Sequence, residues 1–470
     1  MRFKALLATV AGAIALRLAL GVGFANYDTL YSLVWGQQLA RGETPSYKLA
    51  LAPTPHPLIE LVGLILAPLG AAATLSIVVA LAYLSLATLG YLAFRLGSDW
   101  FSWPVGLAAA ALILSRYEVL SYGARAYADI PYVALVLAAL AIETRRPRAG
   151  WPVLAMLDLA GLLRPEAWLF AGAYWLYLWP RASPRERAAL AGLAALAPAL
   201  WGLSDLLITG NALWSLTNTQ KTAKALQRTT GLLNVPYTGA RRLGEVLDPD
   251  GVLTALTGAA LALWLTRRRA LLGAAATLIA VLALALVASA GLPIQDRYVF
   301  LIAALGAVFA GAALFGWRSL PPEHPRRRLW QLCALALAAV IAVSSALWQA
   351  PRYHKTFVSS TPADQSLDAQ QRIGNDLTKL VTQRTLTTAC LPISVPYATP
   401  IPLLALRLHI SPAHIVMRQI STGTYLATTS AGVYRQYELD PHERQRQGNP
   451  PPGFRLVARN RSWSAYARCH

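Results

Sequence analysis

The sequence predicts a polytopic α-helical membrane protein of about 11 spans, followed by a small α+β domain outside the membrane. Three observations lead to this fold class. Hydrophobic residues make up 56% of the 470 residues and charged residues only 14%, which excludes a soluble protein. The apolar residues form runs that short clusters of Arg and Lys separate. The last stretch of about 120 residues is polar and contains both helical and strand-like patterns.

The net charge of +20 raises the question of a nucleic-acid partner. The positions of the charges argue against one, because most Lys and Arg residues lie between apolar runs, where such residues set membrane topology. The sequence also contains no zinc-finger, helix-turn-helix or RNA-binding motif. We therefore predict the membrane, and no nucleic acid, as a partner.

The basic clusters predict the topology. The candidate spans are residues 5–24, 72–94, 101–115, 128–142, 151–163, 167–179, 188–208, 252–265, 271–290, 299–317 and 329–348. The clusters between them are at positions 2–4, 95, 145–148, 181–187, 267–269 and 326–328. If every cluster is cytoplasmic, the short apolar segment 58–69 cannot span and becomes a re-entrant or interfacial helix. About 11 spans remain, with a cytoplasmic N-terminus and the C-terminal region outside.

The same topology predicts the domains. A transmembrane domain covers residues 1–348, with outward-facing loops at 25–70 and 209–251, and an extracytoplasmic α+β domain covers residues 349–470. In the second domain, residues 364–384 have helical spacing, and a Pro-rich loop is expected at 445–452. Strand-like runs follow at residues 386–389, 415–418, 432–437, 454–458 and 462–467. The composition, rich in Ala, Leu and Arg, is typical of a high-GC bacterium and predicts its plasma membrane as the location.

Two of the three cysteines are predicted to pair. Cys333 lies in an apolar run, whereas Cys390 and Cys469 lie in the region placed outside, where disulfides persist. Each of these two follows a strand-like run, so two neighbouring strands that end together would bring the sulfurs within reach. Such a bond closes a loop of about 80 residues and is worth roughly 4 kcal/mol in the chain-entropy model.

One acid stands at the mouth of the first span. Asp28 follows Tyr27 directly after the apolar run, and the Pro-rich segment 53–57, which contains His56, lies in the same outward loop. A carboxylate this close to hydrocarbon is costly unless it has a partner or a task. The alternative is an ordinary helix cap or interfacial loop.

Further charged residues fall on the predicted outer side. The candidates for substrate or phosphate binding are Tyr27, His56, Arg125, Asp129, Arg164, Glu166, Lys221, Lys224, Arg228 and Arg297. Lys221, Lys224 and Arg228 are spaced so that one helix face would carry all three, which suits a phosphate or pyrophosphate. The alternatives are a solvated helix for these three residues and a tight turn with an internal ion pair for residues 164–166.

The order of these motifs resembles the GT-C superfamily of membrane glycosyltransferases. The resemblance rests on the acid after the first span and on the segments GETPSY (42–47), PTPHP (53–57), LLRPE (162–166) and TGNALW (209–214). It covers most of residues 1–320. The superfamily uses polyprenyl-phosphate sugars and includes protein O-mannosyltransferases and the lipid A aminoarabinose transferase.

The resemblance implies a function for these residues. Asp28 matches the acid that deprotonates the acceptor hydroxyl, and Asp129 matches a second acid of some members. Sugar transfer would then run from a polyprenyl-phosphate donor to a lipid, glycan or protein acceptor, with inversion, and mannose or a related hexose or pentose is the expected sugar. Many members carry two adjacent acids where this chain has Tyr27 and Asp28. No cofactor is therefore predicted to be required, and a divalent metal is not supported.

Two other classes of function are kept open: a transporter or flippase for an anionic lipid or glycolipid, and a sensing or scaffolding protein. A transporter needs charges inside the membrane, and Arg17 and Asp158 are the candidates. Both lie roughly 10 Å from the outer end of their spans, so we predict that they form a buried ion pair. We also expect Asp28 to line a cleft that Arg164 or Arg297 reaches.

Overall fold

The computed structural model describes residues 2–344, 346–347, 351, 366–438 and 450–469. The chain divides into two compact units. The first unit comprises Met1–Ala19, Ala80–Ser204 and Arg228–Arg352. The second comprises Leu20–Val79, Asp205–Gln227 and Tyr353–His470. The second unit therefore combines much of the predicted outward loops with the C-terminal region.

Up to Ser344 the chain is almost entirely helical. The helices are α1 (Arg2–Leu20), α2 (Tyr27–Ala40), α3 (Pro57–Leu66), α4 (Gly70–Trp100), α5 (Trp103–Leu114), α6 (Tyr117–Ala124), α7 (Asp129–Arg145), α8 (Trp151–Gly161), α9 (Glu166–Leu178), α10 (Pro184–Ala194), α11 (Leu196–Thr209), α12 (Trp214–Ala225), α13 (Ala240–Leu265), α14 (Arg267–Ser289), α15 (Phe300–Phe315) and α16 (Arg327–Ser344). Most connections between them are short, and the longest irregular stretch before Ser344 covers residues 41–56.

Helix α15 is the centre of the first unit. It is apolar all round, and nearly all of its side chains are buried, which is typical of a helix with neighbours on every side. It packs against α5 and α13. Small residues allow close approach of the backbones, since a Cβ at Gly311 would meet the carbonyl oxygen of Val105 and one at Gly258 would meet that of Phe309.

In the described part of the chain, five helical stretches are long and apolar enough to cross a membrane, and up to seven if each bent helix pair is one span. One stretch runs from Pro57 to Trp100 and includes α3, a short 3₁₀ turn and α4. The predicted interfacial segment 58–69 corresponds to α3 and this turn. The prediction of about 11 spans remains a prediction.

The predicted ion pair between Arg17 and Asp158 is wrong. The guanidinium of Arg17 lies over the ring of Tyr83, 5.8 Å from its centroid. Asp158 in α8 is buried, and its Oδ1 atom has no hydrogen-bond partner among the described residues. Arg17 therefore contacts an aromatic face instead of the carboxylate that the similar depths suggested.

A different buried ion pair crosses the first unit. Helix α13 is kinked at Asp248, which has φ of 59°, immediately before Pro249. Arg116 donates to the Asp248 carboxylate at 2.9 Å and to the Leu247 carbonyl at 3.0 Å. The kink interrupts the helical hydrogen bonds, so Arg116 satisfies both a carbonyl and a charge that would be costly alone.

The C-terminal part of the second unit contains helices and one small sheet. Its helices are α17 (Leu367–Thr382), α18 (Pro400–Leu408) and α19 (Ala431–Tyr437). Its strands are β1 (Ile393–Ser394), β2 (Ile415–Val416), β3 (Gly423–Thr428), β4 (Arg455–Arg459) and β5 (Trp463–Arg468), in the order β2-β1-β3-β5-β4. Strand β1 is parallel to β2 and β3, whereas β5 is antiparallel to β3 and β4.

The predicted disulfide is present, and Cys390 and Cys469 have their Cα atoms 5.4 Å apart. Two strand predictions are wrong. Residues 432–437 are helical because the Ser430 side chain caps α19 by accepting from the Val433 N–H. Residues 386–389 follow the end of α17, where the Leu386 N–H donates to the Leu380 carbonyl. Positions 364–365 of the predicted helix and 445–449 of the predicted loop lie outside the described residues.

Candidate active site

The first turn of α2 presents Asp28. The side-chain oxygen of Asn26 accepts from the N–H groups of Asp28, at 2.8 Å, and Thr29, at 3.2 Å, and so caps the helix. Asp28 is half-buried. Its side chain lies in the first turn of α2, at the positive end of the helix dipole. The capping contacts hold its backbone in place.

A row of aromatic rings anchors α2. Tyr27, Tyr31 and Trp35 follow at helical spacing, with ring centroids 5.0 and 5.3 Å apart, and Trp35 meets Tyr47 at 4.7 Å. All four residues are buried. The Tyr27 hydroxyl donates to the Leu51 carbonyl at 3.0 Å. Tyr27, predicted to bind substrate, therefore ties the loop to the helix that carries Asp28.

Helix α3 crosses α2 closely, and a Cβ at Gly36 would clash with the backbone of Glu60. The Tyr47 hydroxyl donates to the buried Glu60 carboxyl group at 2.6 Å. His56 is the N-cap residue of α3, directly before Pro57 at the first helical position, and is 9% exposed. These contacts fold the Pro-rich segment back against α2.

Helix α12 lies beside the Pro-rich segment. Asp205 fixes its start, because the carboxylate accepts from the N–H of Ser215 at 2.7 Å and from its hydroxyl at 2.8 Å. Further along, the Asn218 side chain donates to the Ala52 carbonyl at 3.3 Å, and the hydroxyls of Thr219 and Thr54 are hydrogen-bonded. The basic helix predicted from the sequence is thus brought to the loop that contains His56.

Of the three cations predicted to share one helix face, Lys221 and Lys224 lie on α12. Lys221 and Lys224 are exposed, and neither forms an ion pair with a carboxylate of the described residues. The ammonium of Lys221 lies 5.9 Å from the ring centroid of Trp214. The prediction that Arg228 shares their helix face is wrong: α12 ends at Ala225, and Arg228 belongs to the first compact unit.

A second group of predicted residues meets inside the first unit. Arg164 forms ion pairs with Asp129 and with Glu166, the latter at 2.7 Å, and all three are less than a tenth exposed. Burial alone would lower the pKa of the Arg164 guanidinium, but attraction by the two carboxylates outweighs this and raises the pKa. The acids occupy the first turns of α7 and α9, where helix dipoles favour negative charge.

Tyrosines connect this ion-pair group to the other predicted arginines. Arg164 lies over the ring of Tyr298, 4.1 Å from its centroid. Arg297 lies 5.8 Å from the ring centroids of Tyr298 and Tyr127, and Arg125 lies 5.0 Å from that of Tyr127. We call Arg125, Arg164, Arg297, Asp129, Glu166 and these tyrosines the arginine–tyrosine cluster.

Sequence reasoning did not include Asp296 or the tyrosines of this cluster among the candidate site residues. The hydroxyl of Tyr122 donates to both carboxylate oxygens of Asp296 at 3.0 Å, and Arg125 stacks over the Tyr122 ring at 4.7 Å. The available signal was the alternation of Tyr with Arg in residues 122–127 and 296–298, since arginines prefer aromatic faces when they are buried.

The predicted site residues thus fall into two groups, each inside one compact unit. Asp28, His56, Lys221 and Lys224 belong to the second unit, and the arginine–tyrosine cluster belongs to the first. That Asp28 shares a cleft with Arg164 or Arg297 stays a prediction. Among the described residues, no group of three or more His, Cys, Asp or Glu side chains could hold a metal ion.

The comparison with solved structures gives a match along nearly the whole chain. ArnT of Cupriavidus metallidurans, in a crystal structure with bound undecaprenyl phosphate, aligns with a TM-score of 0.57 and 14% identity over 98% of this chain and 97% of its own. ArnT belongs to the GT-C superfamily. The chain has the GT-C fold. No family model and no curated protein matches the sequence.

Weaker GT-C likenesses accompany this match. ArnT in the apo state aligns with a TM-score of 0.49 and 15% identity, over 98% of this chain and 97% of its own. The oligosaccharyltransferase AglB of Archaeoglobus fulgidus, in complex with an inhibitory peptide and a dolichol-phosphate, aligns with a TM-score of 0.48 and 13% identity. That alignment covers 88% of this chain and 64% of AglB.

Proposed function

We propose that this chain is a membrane glycosyltransferase that transfers a sugar from a polyprenyl-phosphate donor to a hydroxyl group of a cell-envelope acceptor. The observation that carries the proposal is the fold shared with ArnT, whose crystal structure holds undecaprenyl phosphate. The GT-C motifs of the sequence support it independently, because they place the expected base at Asp28.

Asp28 is the proposed general base. Its carboxylate takes the proton from the acceptor hydroxyl as the oxygen forms a bond to the anomeric carbon, and the bond from that carbon to the phosphate oxygen breaks. The polyprenyl phosphate leaves with the electron pair. One base and one displacement, with no covalent intermediate, imply inversion, by analogy with inverting glycosidases. The Asn26 cap supports this role by holding the first turn of α2.

Lys221 and Lys224 are the proposed cations for the departing phosphate. Their charges are exposed and carry no ion pair with described carboxylates, so an anionic ligand does not have to displace an acid. Arg164 suits this task less, because Asp129 and Glu166 already neutralise its charge. Substrate binding stays the predicted role of the charged residues of the cluster, which are Arg125, Asp129, Arg164, Glu166 and Arg297.

The proposal also covers the sugar, the acceptor and the cellular location. Mannose or a related hexose or pentose is the proposed sugar, and a lipid, glycan or protein is the proposed acceptor. We place the reaction on the outer face of a bacterial plasma membrane, with the N-terminus in the cytoplasm. The disulfide between Cys390 and Cys469 supports the outward placement of the C-terminal region, since such bonds persist in oxidising compartments.

The test uses purified full-length protein in detergent with decaprenyl-phosphate mannose and related polyprenyl-phosphate sugars, and an extract of envelope lipids and glycans as acceptor. We expect sugar transfer, and a loss of about 10²- to 10⁴-fold in Asp28→Asn. The matched control is Glu43→Gln, an acid of the same loop that is exposed and pairs with Arg41. Equal activity of both variants would refute the role of Asp28.

The transporter alternative is separated by a second readout. In proteoliposomes, a transporter would move the labelled donor between leaflets without breaking the bond between sugar and phosphate. Lipid movement without sugar transfer to any acceptor would overturn the enzyme proposal.

A further inference from the structure

A hydrogen bond joins the C-terminal region to the segment that leads into α2. The side-chain carbonyl oxygen of Gln371, in α17, accepts from the backbone N–H of Gly23 at 2.7 Å. The two residues are 348 positions apart in the chain. Both belong to the second compact unit.

The position of Gly23 gives this bond its significance. Residues 21–26 connect α1 to α2 without regular structure, so helical partners do not satisfy their N–H groups. Gly23 lies three residues before the capping residue Asn26 and five before Asp28. A fixed Gly23 amide therefore fixes the approach to the cap, and the cap orients the first turn of α2.

A second contact also joins the C-terminal region to α2. Helix α18 packs against α2 and against α17. Leu404 and Leu406 of α18, and Leu33 and Trp35 of α2, are completely buried. The C-terminal region thus supplies both a hydrogen bond at the entrance to α2 and a helix that packs against α2.

We propose that the C-terminal region is a working part of the active site and that Gln371 is a positioning residue for Asp28. This inference rests on the proposed function. It assigns the C-terminal region a role in catalysis and not the role of a separate sensing module. Without the Gly23 bond, the segment before Asn26 gains freedom, and Asp28 samples orientations that cannot take the acceptor proton. The turnover number falls, whereas binding of the donor at Lys221 and Lys224 does not change.

The test compares variants on one helix turn. Gln371→Ala removes the acceptor, and Gln371→Glu keeps an acceptor oxygen in the same place. Gln370→Ala is the matched control, because the neighbouring Gln370 side chain is half-buried and makes no hydrogen bond within the described residues. Each full-length protein is assayed for kcat and for KM towards decaprenyl-phosphate mannose, and for hydrogen exchange of peptides that cover residues 20–40.

We expect kcat of Gln371→Ala to fall about 10- to 100-fold, because small misplacements of a catalytic group cost this much. Its KM should stay within about two-fold, and exchange at residues 23–29 should rise. Gln371→Glu should restore most of the rate, and Gln370→Ala should behave as the parent protein.

The outcomes separate this inference from the proposed function. If the parent protein transfers sugar and Asp28→Asn does not, an unchanged kcat in Gln371→Ala overturns the inference alone. If the parent protein transfers no sugar, the proposed function fails, and the exchange data still decide whether Gln371 holds the entrance to α2. Unchanged exchange at residues 23–29 overturns the inference in either case. A uniform rise in exchange that Gln371→Glu does not reverse also overturns it, since this would indicate a general fold defect.

Discussion

Replacing Arg164 by Met should destabilise the first unit strongly. The substitution keeps an apolar stem of similar length but removes the charge between two carboxylates. Asp129 is 1% exposed and Glu166 is 8% exposed, so bulk solvent screens neither carboxylate in the folded protein. Breaking a buried ion pair by removing one partner costs about 3–5 kcal/mol, because a buried charge is left uncompensated. Here one substitution removes the positive charge from beside two buried carboxylates.

The structure supplies both a control and a rescue. Arg145 also pairs with an aspartate, Asp99 at 2.8 Å, but its side chain is 44% exposed. Arg145→Met should therefore cost no more than about 1 kcal/mol. Adding Asp129→Asn and Glu166→Gln to Arg164→Met removes the uncompensated charges and should recover most of the loss.

The assay is equilibrium unfolding of the purified protein in mixed micelles, followed by tryptophan fluorescence. If Arg164→Met costs no more than Arg145→Met, the reasoning from burial is refuted. If the triple variant is less stable than Arg164→Met alone, the negative charges of the two carboxylates are not the cause.

Two further predictions concern the second unit. Lys221→Ala combined with Lys224→Ala should raise KM for a polyprenyl-phosphate donor about 10-fold or more, because two charge-assisted contacts to phosphate are lost. The dependence of KM on salt concentration should also become weaker. Donor titrations at two ionic strengths measure both effects, and an unchanged KM would exclude these lysines from the phosphate site. Cys390→Ser combined with Cys469→Ser should lower the free energy of unfolding by up to about 4.5 kcal/mol, because the bond joins residues 79 positions apart. Unfolding curves of the double variant and the parent protein measure this loss, and equal midpoints would contradict it.

The candidate site shows which features local sequence can and cannot predict. The position of Asp28 beside the first apolar run, and the basic residues of α12, are visible in the sequence because they depend on neighbouring residues only. The end of α12 at Ala225 was missed, and Arg228 was therefore assigned to the wrong surface. Helical spacing continues past this point in the sequence, but the chain turns at Gln227, which has φ of 52°, and residues 228–230 have no regular structure.

The partners of buried charges were the least predictable feature. Depth along a span suggested that Arg17 would meet Asp158, but depth says nothing about which face of a helix meets which neighbour. The packing instead gives Arg17 the ring of Tyr83, and it gives Arg116 the carboxylate of Asp248. In both cases the partner belongs to a different helix, far away in the sequence, and the two residues meet only when the helices pack together.

Composition and local pattern by themselves determined the helical membrane class, the GT-C resemblance and the pairing of Cys390 with Cys469. These features follow from which residues are apolar, which are charged and which compartment is oxidising. Only the tertiary structure placed α12 beside the Pro-rich segment and gathered the arginine–tyrosine cluster. It alone also joined Gln371 to Gly23. The reason is physical: such contacts form between residues far apart in sequence, and the shape of packed helices decides which side chains meet.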